Sequence, residues 1–478
     1  MEVQAGNALG RLDALLCYFG VIPLVPGNPV RHLPLKVRRQ MGNLSPGQAV
    51  VVLRIAGVLQ YSACPKSRPR SLWRGRRPDL TTHGVPLRGS AVVAGHGLPA
   101  TRGWAEESAK RGPQLLRRTL GHRSDPHAVL ASCYPRQVIP LTLLPATTMA
   151  TMVRRKEVSP VELVEAHLSR IEKLNPLLNA FVRVDAERSR QSARTAEAAV
   201  MRGEPARLLH GVPLTIKSSI DVAGLPSETG SRLRAGRMAP ADAPIVARLK
   251  AAGAVIMGNT NAPEMLMSWE TDNSLYGRTN NPWDLERTAG GSSGGESAAI
   301  AAGLSAAGVG SDGGGSSRVP AHFTGICGLK PTPGRIPSTG HYPPSLGPFS
   351  LIGVVGPIAR TVSDLCAMFE VLTGPDDGDP ISSPVPLRWP DEAELRKIRI
   401  GYFEDDDRSP VTPETRAAVR TVAHAIKQSG FEVEPFRPDV LQRARDFWWV
   451  IFGQSGGFVL RPTLTAREDE ISPTLKNS

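Results

Sequence analysis

Apolar and polar positions repeat with a helical period or fall in short strand-like runs along most of this chain, and residues 1–140 keep neither pattern. Val161, Val164, Leu168 and Ile171 recur at i, i+3, i+7 and i+10, which predicts one apolar face of an amphipathic helix. Ser159-Pro-Val-Glu162 ahead of it reads as a capping box with proline at the first helical position, and Pro176 is expected to end the helix. Ala186 to Arg202 predicts a second helix, with Gly203 as its C-cap. Leu214 to Ile216 have strand character, so Lys217 falls at or just inside a strand end. Ala243 to Gly253 reads as a helix leading into a buried strand, Ala254 to Met257. Helix alternating with short apolar run predicts an α/β architecture.

Asn259 to Trp283 is polar and reads as a long loop with a helical insert. Its apolar cluster, Met265, Leu266, Met267 and Trp269, suits core packing first and a substrate-pocket wall second. Further on, turns around a short strand are expected at Ile326 to Arg335, and a helix at Asp364 to Leu372. After a Pro/Asp-rich connector, Pro375 to Pro390, strands at Ile398 to Phe403 and Phe431 to Val433 flank a helix at Pro413 to Ser429. No closing element is expected beyond Trp449. In residues 1–140 arginine and proline recur without period, as in Arg68-Pro-Arg-Ser-Leu-Trp-Arg-Gly-Arg-Arg-Pro78. They are expected to be a disordered extension outside the fold, leaving 141–478 as the folded domain.

Charge sharpens that division. The net charge of +13 suggests a polyanion partner, yet residues 1–140 hold 20 Lys and Arg against 6 Asp and Glu. Residues 141–478 hold 37 against 38, so this part is expected to bind no nucleic acid. The five cysteines, Cys17, Cys64, Cys133, Cys327 and Cys366, form no Cys-x-x-Cys pair. A sparse, odd set fits a reducing, cytoplasmic setting better than a disulfide scaffold. No run reaches the roughly 18 apolar residues that a membrane span needs. Leu15 to Val25 is short and follows too little positive charge for a secretory signal.

The candidate chemistry lies in Gly290 to Pro320. Two serine clusters set in glycine, Ser292/Ser293 and Ser316/Ser317, are joined by an Ala-rich segment of helical character. Glycine lets another group approach the main chain closely, so two such loops could gather hydroxyls and bare N–H groups into a hydrolytic site. A serine hydroxyl needs a base within hydrogen-bond reach. Histidine is the usual one, and His322 and His341 are nearby in sequence. A lysine serves if it is neutral, and the apolar approach to Lys217 is the right setting for that. Alternatively, Gly291-Ser-Ser-Gly-Gly295 reads as a nucleophile elbow with Ser293 attacking, which leaves Lys217 and the second cluster without a job.

Gly-Gly-Ser-Ser-Gly-Gly, a step of 24 positions from Ser292 to Ser316, then Asp-Gly-Gly-Gly-Ser-Ser-Arg-Val-Pro-Ala, resembles the amidase signature family. Lys217 stands 75 positions before Ser292, after Gly-Val-Pro-Leu-Thr-Ile, and matches a third landmark. Gly-Asn-Thr-Asn-Ala-Pro-Glu264, Asn280-Asn-Pro-Trp283, Gly325-Ile-Cys-Gly-Leu-Lys-Pro-Thr332 and Gly353-Val-Val-Gly-Pro357 add support. The resemblance implies an amidase signature fold, a mixed twisted β-sheet core covered by helices on both faces. It also implies a C-terminally incomplete domain, since family members normally continue further. It implies a Ser–cis-Ser–Lys triad in which Ser316 attacks, Ser292 follows a cis peptide and relays the proton, and Lys217 is the base. Backbone N–H groups of Gly313, Gly314, Gly315 and Ser316 would form the oxyanion hole, with Leu266 and Met267 beside the substrate. Asp312 and Arg318 are expected to fix the loop. The implied substrate is a small-molecule amide, with no metal or organic cofactor; a homodimer is allowed. Ala289, Ser218 and Ser317 depart from the commonest pattern, which bears on substrate preference. The alternatives are the amidase-like subunit of a glutamine-dependent transfer-RNA amidotransferase, or an inactive truncated amidase.

Overall fold

The computed structural model describes residues 139–476 and, ahead of them, the backbone of two short strands, β1 (Gly20–Pro23) and β2 (Val50–Arg54). Apart from these strands, the 1–140 extension, with Leu15 to Val25 and its basic runs, lies almost wholly outside the described residues.

The predicted capping box forms. Ser159 Oγ accepts the Val161 N–H at 2.9 Å, and Glu162 accepts the Ser159 N–H at 2.8 Å. The helix Pro160–Leu178 then buries Val164, Leu168 and Ile171 against Phe181, Met257 and Ala298. Pro176 does not end it. The ring stands in the last turn, where it removes one backbone donor, and the helix runs on until Asn179 turns left-handed at φ 50°. Ser159 also donates to the buried Glu197 carboxylate. Ser159→Ala is therefore expected to cost about 1–2 kcal/mol, read as a lower urea midpoint with an unchanged m-value.

The chain next lays down β3 (Phe181–Val184), β4 (Pro213–Lys217) and β5 (Val255–Thr260), with the helices Ala186–Met201 and Pro244–Ala251 between them. A small hairpin, β6 (Asn280–Asn281) and β7 (Asp284–Thr288), precedes the helix Gly294–Ala301. Then come β8 (Ala307–Asp312), the helix Arg318–Thr324, β9 (Cys327–Gly328), β10 (Val354–Ala359) and the helix Val362–Leu372. Six strands form one mixed sheet in the order β3-β5-β4-β8-β10-β9, flanked by helices, as an α/β fold requires. The middle strands β5, β4 and β8 run parallel, while β3 and β10 pair antiparallel at either side. Beyond this, β11 (Arg399–Tyr402) lies parallel to β2 and to β12 (Glu432–Pro435) in a second sheet, with the helix Pro413–Gln428 between β11 and β12.

Two expectations need correction. The segment between the serine clusters is only half helical, because β8 follows its helix. The chain also continues in regular structure near Trp449: the helix Leu441–Trp448, a π-helical turn Trp449–Gln454, and the helix Ser455–Leu464, whose Leu460 packs with Met265. Among the described residues no helix is long and apolar enough to cross a membrane.

Candidate active site

Register places the site at one end of the parallel strands. Lys217 pairs with Thr260 of β5, and Ile216 pairs with Val309 of β8, so Lys217, Thr260, Ser311 and Asp312 all reach the C-terminal edge of the sheet. Crevices at the carboxyl ends of parallel strands are where α/β sheets bind ligands.

Lys217 is fully buried, and its Nζ lies 2.7 Å from Ser292 Oγ and 3.0 Å from Ser311 Oγ. Burial lowers its pKa from the usual lysine range to about 7, against an opposing pull from Asp312 and Glu296. The peptide between Gly291 and Ser292 is cis. Ser293 donates its N–H to the Ser316 carbonyl at 3.0 Å, which stitches one serine cluster to the other. Ser292, Ser311 and Ser316 line a single pocket.

Asp312 organises the second loop. Its carboxylate accepts the Gly315 N–H at 2.8 Å and the Ser317 N–H at 3.2 Å, and it pairs with Arg318 at 2.9 Å. Burial would raise this carboxyl, but the Arg318 charge and hydrogen bond, with Lys330 and the Gly315 N–H, together hold Asp312 well below the usual carboxylate range. The bond from Gly315 corrects one expectation. That N–H is spent on Asp312, so the available donors narrow to Gly313, Gly314 and Ser316, which have no N–H partner among the described residues. Gly315 itself sits at φ 113°, backbone that a side chain would strain.

Leu266 and Met267 line the same pocket, together with Phe349, Phe452 and Leu460. Met265 and Leu266 take positive φ, 49° and 66°, which is uncommon outside glycine. Trp269 is instead half exposed above the glycine loop, where its indole donates to the Gly314 carbonyl at 3.0 Å. Trp448 donates to the Gly313 carbonyl at 3.3 Å, and its ring lies 5.9 Å from Trp269 and 4.7 Å from Phe452. This aromatic cover was not foreseen, since Trp448 and Phe452 lie where no element was predicted.

Ser293 is buried outside the pocket, its hydroxyl against the Ser311 backbone at 3.3 Å. That placement gives the nucleophile-elbow reading no support. His341 lines the pocket, with Nδ1 2.9 Å from the Pro343 carbonyl and its pKa lowered to about 4 by burial and by Lys217. Ser311 and Glu296 are polar residues near Lys217 that sequence reasoning passed over as functional, while His341 had been weighed as a conventional base. Only Glu296 carried a signal, as a lone charge in an alanine-rich run.

The chain as a whole has known counterparts. The chain belongs to the family whose model is described as Amidase, matched over residues 162–473. It is 40% identical over 298 residues to an indoleacetamide hydrolase of Bradyrhizobium diazoefficiens, covering 62% of this chain and 56% of that protein. It is 41% identical over 298 residues to a glutamyl-tRNA(Gln) amidotransferase subunit of Roseiflexus castenholzii, covering 62% and 60%. The chain thus spans about three-fifths of the length of these relatives. Among solved structures, a bacterial aryl acylamidase of the amidase signature family superposes with a TM-score of 0.62 at 29% identity, over 71% of this chain and 72% of that one.

Proposed function

We propose that this chain hydrolyses a carboxylic acid amide through an acyl-enzyme on Ser316. The observation that carries the reading is the buried, weakly basic Lys217 in hydrogen-bond contact with Ser292, in the pocket that also holds Ser316. Neutral Lys217 accepts the Ser292 proton as Ser292 takes the proton of Ser316, and Ser316 Oγ bonds to the amide carbon. The resulting oxyanion accepts N–H bonds from Gly313, Gly314 and Ser316, beside the N-terminus of the helix Arg318–Thr324. Collapse breaks the carbon–nitrogen bond, and the proton returns through Ser292 to the departing ammonia or amine. Water then attacks the ester, its proton passing through Ser292 to Lys217; the ester carbon–oxygen bond breaks as Ser316 Oγ takes that proton back, and the acid leaves. No step calls on a metal or cofactor.

The walls made by Leu266, Met267, Phe349 and Phe452 favour an apolar or aryl acyl group. A panel of primary amides graded in chain length and aromaticity tests this, with mass spectrometry locating a reactive carbamate adduct. The adduct is expected on Ser316; an adduct on Ser293, or hydrolysis of none of the panel, overturns the reading. A second reading rests on the amidotransferase relative. It predicts glutaminase activity that depends on a second protein, and so polar a substrate suits this apolar pocket poorly.

The required neutral amine sets the pH dependence. Because Lys217 is active without its proton, kcat/KM is expected to rise with pH through about 7, in initial rates from pH 5 to 9.

A further inference from the structure

Beneath Lys217 lies a second buried ionisable group. Glu296, in the first turn of the helix Gly294–Ala301, has no exposed surface. One carboxyl oxygen accepts from Thr260 Oγ1 at 2.7 Å, and the other is in close contact with Thr215 Oγ1. Thr215 is two residues before Lys217 on the same face of β4, and Thr260 is the register partner of Lys217 on β5. The carboxyl therefore clamps the strand pair that presents the amine. Room for it comes from Gly308, where any Cβ would collide with the carboxyl oxygen.

The hydrogen-bond polarity allows the acid form, and among the described residues no cation lies within ion-pair distance of this buried carboxyl. Ser305 Oγ lies 2.7 Å from the Ala307 carbonyl, which only accepts, so the Ser305 proton is spent there. Thr215 Oγ1, 3.1 Å from Ser305 Oγ, has one proton for two neighbours, Ser305 and Glu296. Given to Ser305, it leaves Thr215 an acceptor toward Glu296, and the proton between them then belongs to Glu296.

We propose that Glu296 is held as a neutral carboxylic acid and acts as a positioning residue that keeps Lys217 uncharged and aimed at Ser292. The inference rests on Lys217 being the base. An ionised carboxylate here would hold a proton on Lys217 and silence it; the acid form fixes both strands without that charge. Burial supports this, raising Glu296 to about 7 against the bonds from Thr215 and Thr260 and the Lys217 charge. The strands packed on this helix bring Lys217 from β4 and Asp312 from β8 toward the site; Arg318 faces Asp312, and His341 faces Lys217. Lys217 is the charged group that acts on Glu296.

Infrared difference spectra of wild type against Glu296→Gln at pH 6 and at pH 8, on either side of the rise in kcat/KM, test the assignment directly. A protonated-carboxyl C=O band is expected in wild type, shifted in D2O and absent in the variant; no such band overturns the proposal. If Glu296→Gln does not fold, Thr260→Val keeps the carboxyl and is expected to move the same band, and a band that stays put counts against it. In kinetics, glutamine reproduces the acid's donor and acceptor, so Glu296→Gln is expected to stay within about threefold of wild type in kcat and to leave the acid limb of the pH profile in place. Glu296→Ala is expected to lose about 100-fold in kcat with little change in KM. Equal loss in both variants, or an acid limb displaced downward in Glu296→Gln, overturns the proposal. The infrared result needs no turnover, so failure of the amidase reading and failure of this one are distinguishable.

Discussion

Ser316→Ala is expected to lower amide hydrolysis by about 10⁴-fold or more in kcat. On the proposed mechanism the hydroxyl removed is the one that bonds to carbon, and neither neighbour is placed to replace it. Ser317 and Ser293 are both fully buried, and their hydroxyls are turned to the Ser311 carbonyl at 3.2 and 3.3 Å. The loop should survive, because its braces run from Asp312 to backbone N–H groups and to Arg318, none of which involves the Ser316 side chain. Stopped-assay product counts and an unchanged urea midpoint check the two halves of this expectation. Activity within tenfold of wild type would move the nucleophile elsewhere.

Arg318→Met is expected to destabilise the fold by about 3–5 kcal/mol near neutral pH. It strips the partner from Asp312, whose side chain is 1% exposed and whose charge is held in place by the guanidinium. Without Arg318, burial is opposed by Lys330 and the backbone N–H groups, and the Asp312 carboxyl is expected to rise above its unfolded value. The variant then gains stability, relative to wild type, as the pH falls and Asp312 takes a proton. Urea unfolding at pH 7 and pH 5 should show the gap narrowing, and Asp312→Asn in the same chain should recover part of the loss. A constant gap across pH would place the cost in lost packing.

The legible parts of the site were those with a local signature. The apolar run ending on Lys217 is visible because a strand buried on both faces reads as continuous hydrophobicity, and the serine clusters are visible because glycine surrounds them. The capping box at Ser159 was equally plain. β8 was hidden: Ala-Gly-Val-Gly-Ser-Asp has poor strand propensity, and only pairing with β4 and β10 makes it a strand. With it went Ser311, which gains meaning only once the register sets it beside Lys217. Pro176 misled because a proline in the last turn removes a single i→i−4 bond, and the helix closes at Asn179 before the break can spread. The spent N–H of Gly315 could not be foreseen, since it depends on where the Asp312 carboxylate folds back.

β8 also acts as a ruler. Ser292 and Ser316 stand at the two ends of a single helix-then-strand excursion, so their separation is set by a count of residues that cannot stretch. One residue inserted within Ala307–Asp312 would turn Ser311 and the next positions to the opposite side of the sheet, and the loop beyond would arrive rotated. Length variation should therefore be tolerated in the connector 375–390 and rejected between 292 and 316. Grafting, circular permutation or loop shuffling of this chain must keep that interval whole.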